Sequence, residues 1–184
     1  MNFFVLLDKL PSELHHKIIS YLVYKPNTNE EFRNEVKFWC INYKKTGHIS
    51  FWDTSNITDM SWVFNDAIYF NEYIGNWNVS NVTNMSGMFH CALSFNQTIE
   101  NWNVSNVVNM THMFRDAESF NKPLNKWSIK NVTNLNYMFY RAKLFNQPLH
   151  SWDTSNVNYM KWMFEGADSF IHRLNHWNTD KTLW

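Results

Sequence analysis

Tryptophan recurs at Trp52, Trp77, Trp102, Trp127, Trp152 and Trp177, every 25 residues without a slip, and nothing else in the chain restricts its fold as tightly. A period of this length marks stacked units, because one such unit cannot bury its own apolar side and must cover it with its neighbours. Other columns keep the same spacing. One holds Met60, Met85, Met110, Leu135 and Met160, another Phe64, Phe89, Phe114, Phe139 and Phe164, a third Ala67, Ala92, Ala117, Ala142 and Ala167. A second phenylalanine column runs Phe70, Phe95, Phe120, Phe145 and Phe170, and the two together take ten of the fifteen phenylalanines. The aromatic excess therefore belongs to the repeat. Ile49, Ile74, Ile99, Leu124, Leu149 and Leu174 stand three residues before each tryptophan. With no insertions, these columns become ladders through one core.

Within a unit, the stretch 74–79 reads as a short strand, with Trp77 and Val79 inward and Asn78 outward by the period of two. Residues Met85, Met88, Phe89 and Ala92, at spacings of three, four and seven, predict one or two helical turns on the opposite side. The expected fold class is an α/β repeat solenoid of the leucine-rich-repeat kind, with short parallel strands on one side, short helical turns on the other and a helical N-terminal cap. Glycine and proline number only four each, so asparagine, which tolerates left-handed backbone and bonds its own turn, must supply the corners. Two columns do this: Asn56, Asn81, Asn106, Asn131 and Asn156 after the strand, and Asn71, Asn96, Asn121 and Asn146 before it. They are expected to be turn ladders that satisfy backbone groups of adjacent coils rather than a ligand surface. Asn-x-Ser/Thr triplets such as Asn78-Val79-Ser80 and Asn131-Val132-Thr133 recur because the repeat does and carry no weight as glycosylation acceptors.

The coil Asn76-Trp77-Asn78-Val79-Ser80-Asn81-Val82-Thr83-Asn84-Met85-Ser86-Gly87-Met88-Phe89, followed by Ala92 and Phe95-Asn96, resembles the BspA-type repeat of bacterial surface proteins, common also in large DNA viruses of protists. The resemblance covers residues 28–178 and implies an open, curved binding solenoid with no catalytic residues to carry over. Ahead of the repeats, Thr28 and Glu31 make a capping box, and Phe32, Val36, Trp39 and Tyr43 share one helical face, expected to plug the first coil. Residues 10–22 read as a separate helix with Pro11 in its first turn and Leu14, Ile18, Ile19 and Leu22 as an apolar stripe. Their wording resembles the opening of an F-box, the motif that docks substrate receptors onto the Skp-type adaptor of cullin ubiquitin ligases. By that resemblance Leu10, Pro11, Leu14, Ile18 and Leu22 are the docking positions, although an F-box has three helices and only the first has room before Thr28. The chain divides into an F-box-like helical segment at 1–25, a capping helix at 26–48 and repeats at 49–184.

Sixteen basic and sixteen acidic residues leave a net charge of zero and a pI near 7.1, with no clustered cations to displace counterions from a nucleic acid. Cys40 and Cys91 are too few for a disulfide framework and suit a reducing compartment. The apolar patch at 3–7 is cut short by Asp8 and Lys9, which argues against a secretory signal, and no run approaches the roughly 20 apolar residues of a membrane helix. His172 and His176 are four apart but have no third ligand nearby. No phosphate loop and no nucleophile with its base is recognisable. The expectation is a monomeric, non-enzymatic chain with no catalytic residue, cofactor or metal, no nucleic-acid partner and no membrane insertion, placed in the cytoplasm, that of a host if viral. The alternative placement is a virion or cell surface.

A binding face should vary where the core does not. The columns flanking tryptophan do so, and the main partner-binding candidates are Asn76, Asn78, Asn101, Asn103, Lys126, Ser128, Ser151 and Asp153 on the expected sheet side. A second, partly aromatic column lies near the expected helical turn: Trp62, Gly87, His112, Tyr137 and Trp162. Two functions follow: an adaptor that holds a target protein on its repeats while residues 10–22 recruit the Skp-type adaptor and a cullin, or a BspA-like surface or virion-associated adhesion protein with no ubiquitin link.

Overall fold

The computed structural model describes residues 23–42, 48–175 and 177. Helix α1 (Asn29–Asn42) is the only α-helix among them and is followed by a 3-10 turn at Ile49–Phe51. Thr28 Oγ1 accepts from the Glu31 amide at 3.0 Å, and the Glu31 carboxylate reaches back to the Asn27 amide at 2.8 Å. The expected cap is thus present, shifted by one residue on its return arm. Phe32, Val36 and Trp39 are buried along one face of α1. Phe32 meets Trp52 and Trp77 edge-on with ring centres 6.3 and 5.3 Å apart, and Trp39 meets Phe70 at 6.2 Å. The helix does lid the first coil.

Past α1, the 25-residue units stack in register, and every expected apolar column is a ladder. Rings of the first phenylalanine column follow one another at 5.5, 5.5, 5.6 and 5.6 Å, and those of the second at 5.9, 5.8, 6.0 and 5.9 Å. Within each coil the two phenylalanines stack closely, as at Phe89–Phe95, 3.9 Å. The tryptophans lie nearly parallel, Trp102 and Trp127 within 6° at 6.4 Å. The four indoles from Trp77 to Trp152 also donate Nε1–H to the aliphatic residue of the preceding coil: Trp77 to the Ile49 carbonyl at 2.9 Å, Trp102 to Ile74 at 3.2 Å, Trp127 to Ile99 at 3.0 Å and Trp152 to Leu124 at 3.0 Å. A buried indole N–H needs an acceptor, and here the acceptor ties one coil to the next.

The α/β solenoid of parallel strands and helical turns is overturned. Among the described residues there is no sheet, only single parallel bridges, Asp59 to Asn84, Asn84 to Asn109, Asn109 to Asn134 and Asn134 to Tyr159. The stretch 74–79 keeps its alternation, with Trp77 and Val79 buried and Asn78 exposed. Yet the Trp77 amide bonds back to the Ile74 carbonyl at 3.1 Å and closes a turn instead of pairing with a neighbouring strand. Nor is 85–92 helical. There the amides of Met85, Gly87, Phe89 and Cys91 cross to carbonyls of the next coil at 109, 111, 113 and 115, while those of Met88, His90 and Ala92 bond three residues back. Left-handed backbone at Gly87 and Cys91, φ 60° and 55°, breaks any helix. Successive tight turns, each closed three residues back, bury Met85, Met88, Phe89 and Ala92 at the spacings of a helix face. That coincidence explains why the pattern reads as a helix.

Both asparagine columns are ladders. Asn81, Asn106, Asn131 and Asn156 each donate Nδ2–H to a carbonyl of the preceding coil at 2.7–2.8 Å. Asn71, Asn96 and Asn121 each accept, through Oδ1, the amide of the asparagine one coil on, at 2.9–3.0 Å. Buried or half-buried backbone groups that no sheet satisfies are satisfied here by side chains.

Candidate functional site: an aromatic strip on left-handed turns

Every coil from 60 onward places its third and seventh residues of the turn chain at positive φ. The third-residue column is Trp62 (58°), Gly87 (60°), His112 (59°), Tyr137 (58°) and Trp162 (53°). In coils such as 85–88, closed by the Met88 amide on the Met85 carbonyl at 3.2 Å, this is the position that turns reserve for glycine or asparagine. A side chain there costs about 1–2 kcal/mol, and yet four of the five are aromatic. Part of that cost is returned by stacking: His112 on Tyr137 at 4.7 Å and Tyr137 on Trp162 at 5.0 Å. Trp62 reaches over Gly87 to within 6.0 Å of His112 and 5.5 Å of His90. An added Cβ on Gly87 would lie 2.3 Å from the Trp62 ring, so the glycine leaves room for the indole.

The result is an aromatic strip running across five coils on the outside of the stack. Its ends are open: Trp62 is 43% and Trp162 37% exposed. Cations edge it. Lys161 Nζ sits 4.0 Å over the Trp162 ring, and the Arg115 guanidinium is 5.6 Å from the centre of Tyr137 and 5.0 Å from that of Tyr140. Burial, and then the nearby Arg115 charge, hold His90 and His112 below the usual histidine range, so both imidazoles are neutral at pH 7. At its first end the strip meets a cavity of about 500 Å³ between α1 and the first coil, walled by Arg33, Lys37, Cys40, Trp62, Ile68 and Tyr69. Burial raises the Cys40 thiol to about 11, so it is a protonated, unreactive wall group.

The other expected face is differently furnished. All eight of Asn76, Asn78, Asn101, Asn103, Lys126, Ser128, Ser151 and Asp153 are exposed. Several are occupied by the fold itself. Asn78, Asn103 and Asp153 accept the amide two residues on, at 3.1, 3.2 and 3.0 Å, which makes them turn residues. Lys126 bridges to Glu100 at 3.3 Å and to Asn101 at 3.2 Å. The structure brings these residues into two short polar rows, with no large apolar group among them. Leu10, Pro11, Leu14, Ile18 and Leu22 lie outside the described residues. Of the histidine pair, His172 contacts the Asn146 carbonyl at 3.2 Å, and His176 lies outside the described residues. Among those described, no helix is long and apolar enough to cross a membrane.

No curated protein and no solved structure matches this chain. One family does, over residues 29–143 and 123–183, which take in α1 and every coil. The match agrees loosely with the BspA-type repeat resemblance; it begins after residues 10–22 and leaves the F-box resemblance without support. On the strength of that coverage, the chain belongs to the family described as Mycoplasma protein of unknown function, DUF285.

Proposed function

We propose that the chain is a non-enzymatic protein-binding module, working in the cytoplasm, whose partner docks on the aromatic strip. The observation that carries this reading is the occupation of left-handed turn positions, where glycine is the unstrained choice, by Trp62, His112, Tyr137 and Trp162. Strained backbone that stays in place is characteristic of functional surfaces, and tryptophan and tyrosine are the residues that anchor protein interfaces. Four steps of about 4.8 Å make the strip about 19 Å long, enough for a compact anchor cluster with a polar rim. The exposed polar rows beside the tryptophan ladder favour the strip by contrast, since Asn78, Asn103 and Asp153 are engaged in turns and no large apolar group stands among them.

A Trp62→Ser/Tyr137→Ser/Trp162→Ser chain, compared with a Lys126→Ala/Ser128→Ala/Ser151→Ala chain in affinity capture from native cells, tests the choice of face. Partners that the wild type and the polar-row variant retain and the strip variant loses support it; the opposite pattern moves the binding face to the polar rows. The adaptor version, recruitment of a Skp-type adaptor and cullin through Leu10, Pro11, Leu14, Ile18 and Leu22, is supported by residue resemblance alone. Recovery of both by the wild type, and of neither by Leu14→Asp/Ile18→Asp with unchanged circular dichroism, tests it.

A further inference from the structure

Beside the strip, the seventh-residue column of the turn chain reads Asp66, Cys91 and Asp116 over its first three coils, with His90 next to Cys91. The carboxylate of Asp66, a ring nitrogen of His90 and the sulfur of Cys91 all lie within 4.8 Å of one another. We infer that Asp66, His90 and Cys91 form a binding site for a divalent zinc-like cation, with the Asp116 carboxylate, paired to Arg115, at its edge.

Ligand type and spacing both support this. Imidazole, thiolate and carboxylate together suit a borderline cation such as Zn²⁺ rather than calcium or magnesium. His90 Nε2 is 3.7 Å from Cys91 Sγ. With metal–nitrogen and metal–sulfur bonds near 2.1 and 2.3 Å, two ligands of a tetrahedral zinc lie about 3.6 Å apart. Asp116 Oδ2 is 3.9 Å from the same nitrogen. The Asp66 carboxylate is exposed, with Oδ2 held by the Asn65 amide at 2.7 Å.

The orientation of His90 is a second, independent observation. The Asn65 amide nitrogen donates to Asp66 Oδ2 at 2.7 Å, which leaves Asn65 Oδ1 as the acceptor facing His90 Nδ1 at 2.6 Å. Nδ1 therefore carries the proton, and the Nε2 lone pair points at the sulfur and carboxylates. A metal-bound histidine is held in this way, by a hydrogen bond from its other nitrogen. The charge around the site is also suited to a cation. Asp66 and Asp116 place carboxylates on either side of Cys91 in the row, and Arg115 lies 3.2 Å from Asp116; a bound dication would stabilise the thiolate form of the cysteine. The three left-handed turns set the spacing, since they bring residues one coil apart into a single row.

Cobalt(II) is the direct probe, because a tetrahedral site with one thiolate gives intense visible bands and a near-ultraviolet sulfur-to-metal charge-transfer band. The wild-type chain is expected to bind one Co²⁺, which Zn²⁺ displaces. Cys91→Ser abolishes the charge-transfer band, and His90→Gln and Asp66→Asn each weaken binding at least tenfold. Cys40→Ser leaves the spectrum unchanged, and Asn65→Ala keeps the band while lowering affinity about 10–100-fold, as loss of an orienting partner does. Circular dichroism checks that each variant keeps the wild-type fold. No charge-transfer band in the wild type, or one that survives Cys91→Ser, overturns the proposal and leaves the sulfur–imidazole contact as an ordinary hydrogen bond.

Discussion

At the scale of single residues, the left-handed turn positions decide what the outer surface can carry. Gly87 is the one small residue in its column, and the Trp62 ring lies directly over it. Gly87→Ala should cost about 1–2 kcal/mol for the backbone alone, and more because its Cβ displaces the indole. In a Trp62→Gly background only the backbone part remains. Urea titration of the four chains measures the difference as a coupling energy, and equal costs in both backgrounds would contradict the packing described. The mixed character of this column is visible in the residue names but its strain is not, because tryptophan, histidine and tyrosine do not announce a positive φ. The Asp66, Cys91 and Asp116 row escapes sequence reading for a related reason. Its groups come from three coils, and a search for metal spacing along the chain looks only a few residues away.

At the scale of elements, α1 is legible because its signals are local: a threonine cap, a glutamate three residues on, and apolar residues at helical spacing. Strand and helix within the coil are not legible. Alternation at 74–79 and three-four spacing at 85–92 each have two backbone solutions, and inter-coil hydrogen bonds select turns in both places. The segment before α1 is tied to the first coil by Lys25 Nζ, 2.7 Å from Asp53 Oδ2 and 3.1 Å from Ser55 Oγ. That bond, with help from Ser55, lowers the Asp53 carboxyl to about 2 from 3.8. A carboxyl depressed in the folded state stabilises the fold above its unfolded pKa, and the contribution fades as pH falls through the folded one. Stability should therefore decline between about pH 4 and pH 2, and Asp53→Asn should flatten that part of the curve. Thermal unfolding across this range measures it, and an identical acid limb in the variant would show that the tie contributes nothing.

Across the whole molecule, one core runs the length of the stack, and its ladders are readable in the residue columns alone because a fixed period with no insertions leaves a side chain no other place to go. Trp102 stands mid-stack, 3% exposed, with its N–H on the Ile74 carbonyl. Trp102→Ala should cost about 3–5 kcal/mol, as large aromatic truncations do, and should also leave that carbonyl unpaired; a loss under about 1 kcal/mol in a denaturant titration would contradict a shared core. A stack held this way presents its outer columns rigidly, and the aromatic strip is the column on which a partner is proposed to dock. Hydroxyl-radical footprinting of the chain, free and with a captured partner, reads the exposure of those rings directly. Oxidation of Trp62, Tyr137 and Trp162 should fall in the complex while that of exposed Ile171 stays unchanged. Undiminished oxidation of the three strip residues in a stable complex would place the partner elsewhere and contradict the proposed binding face.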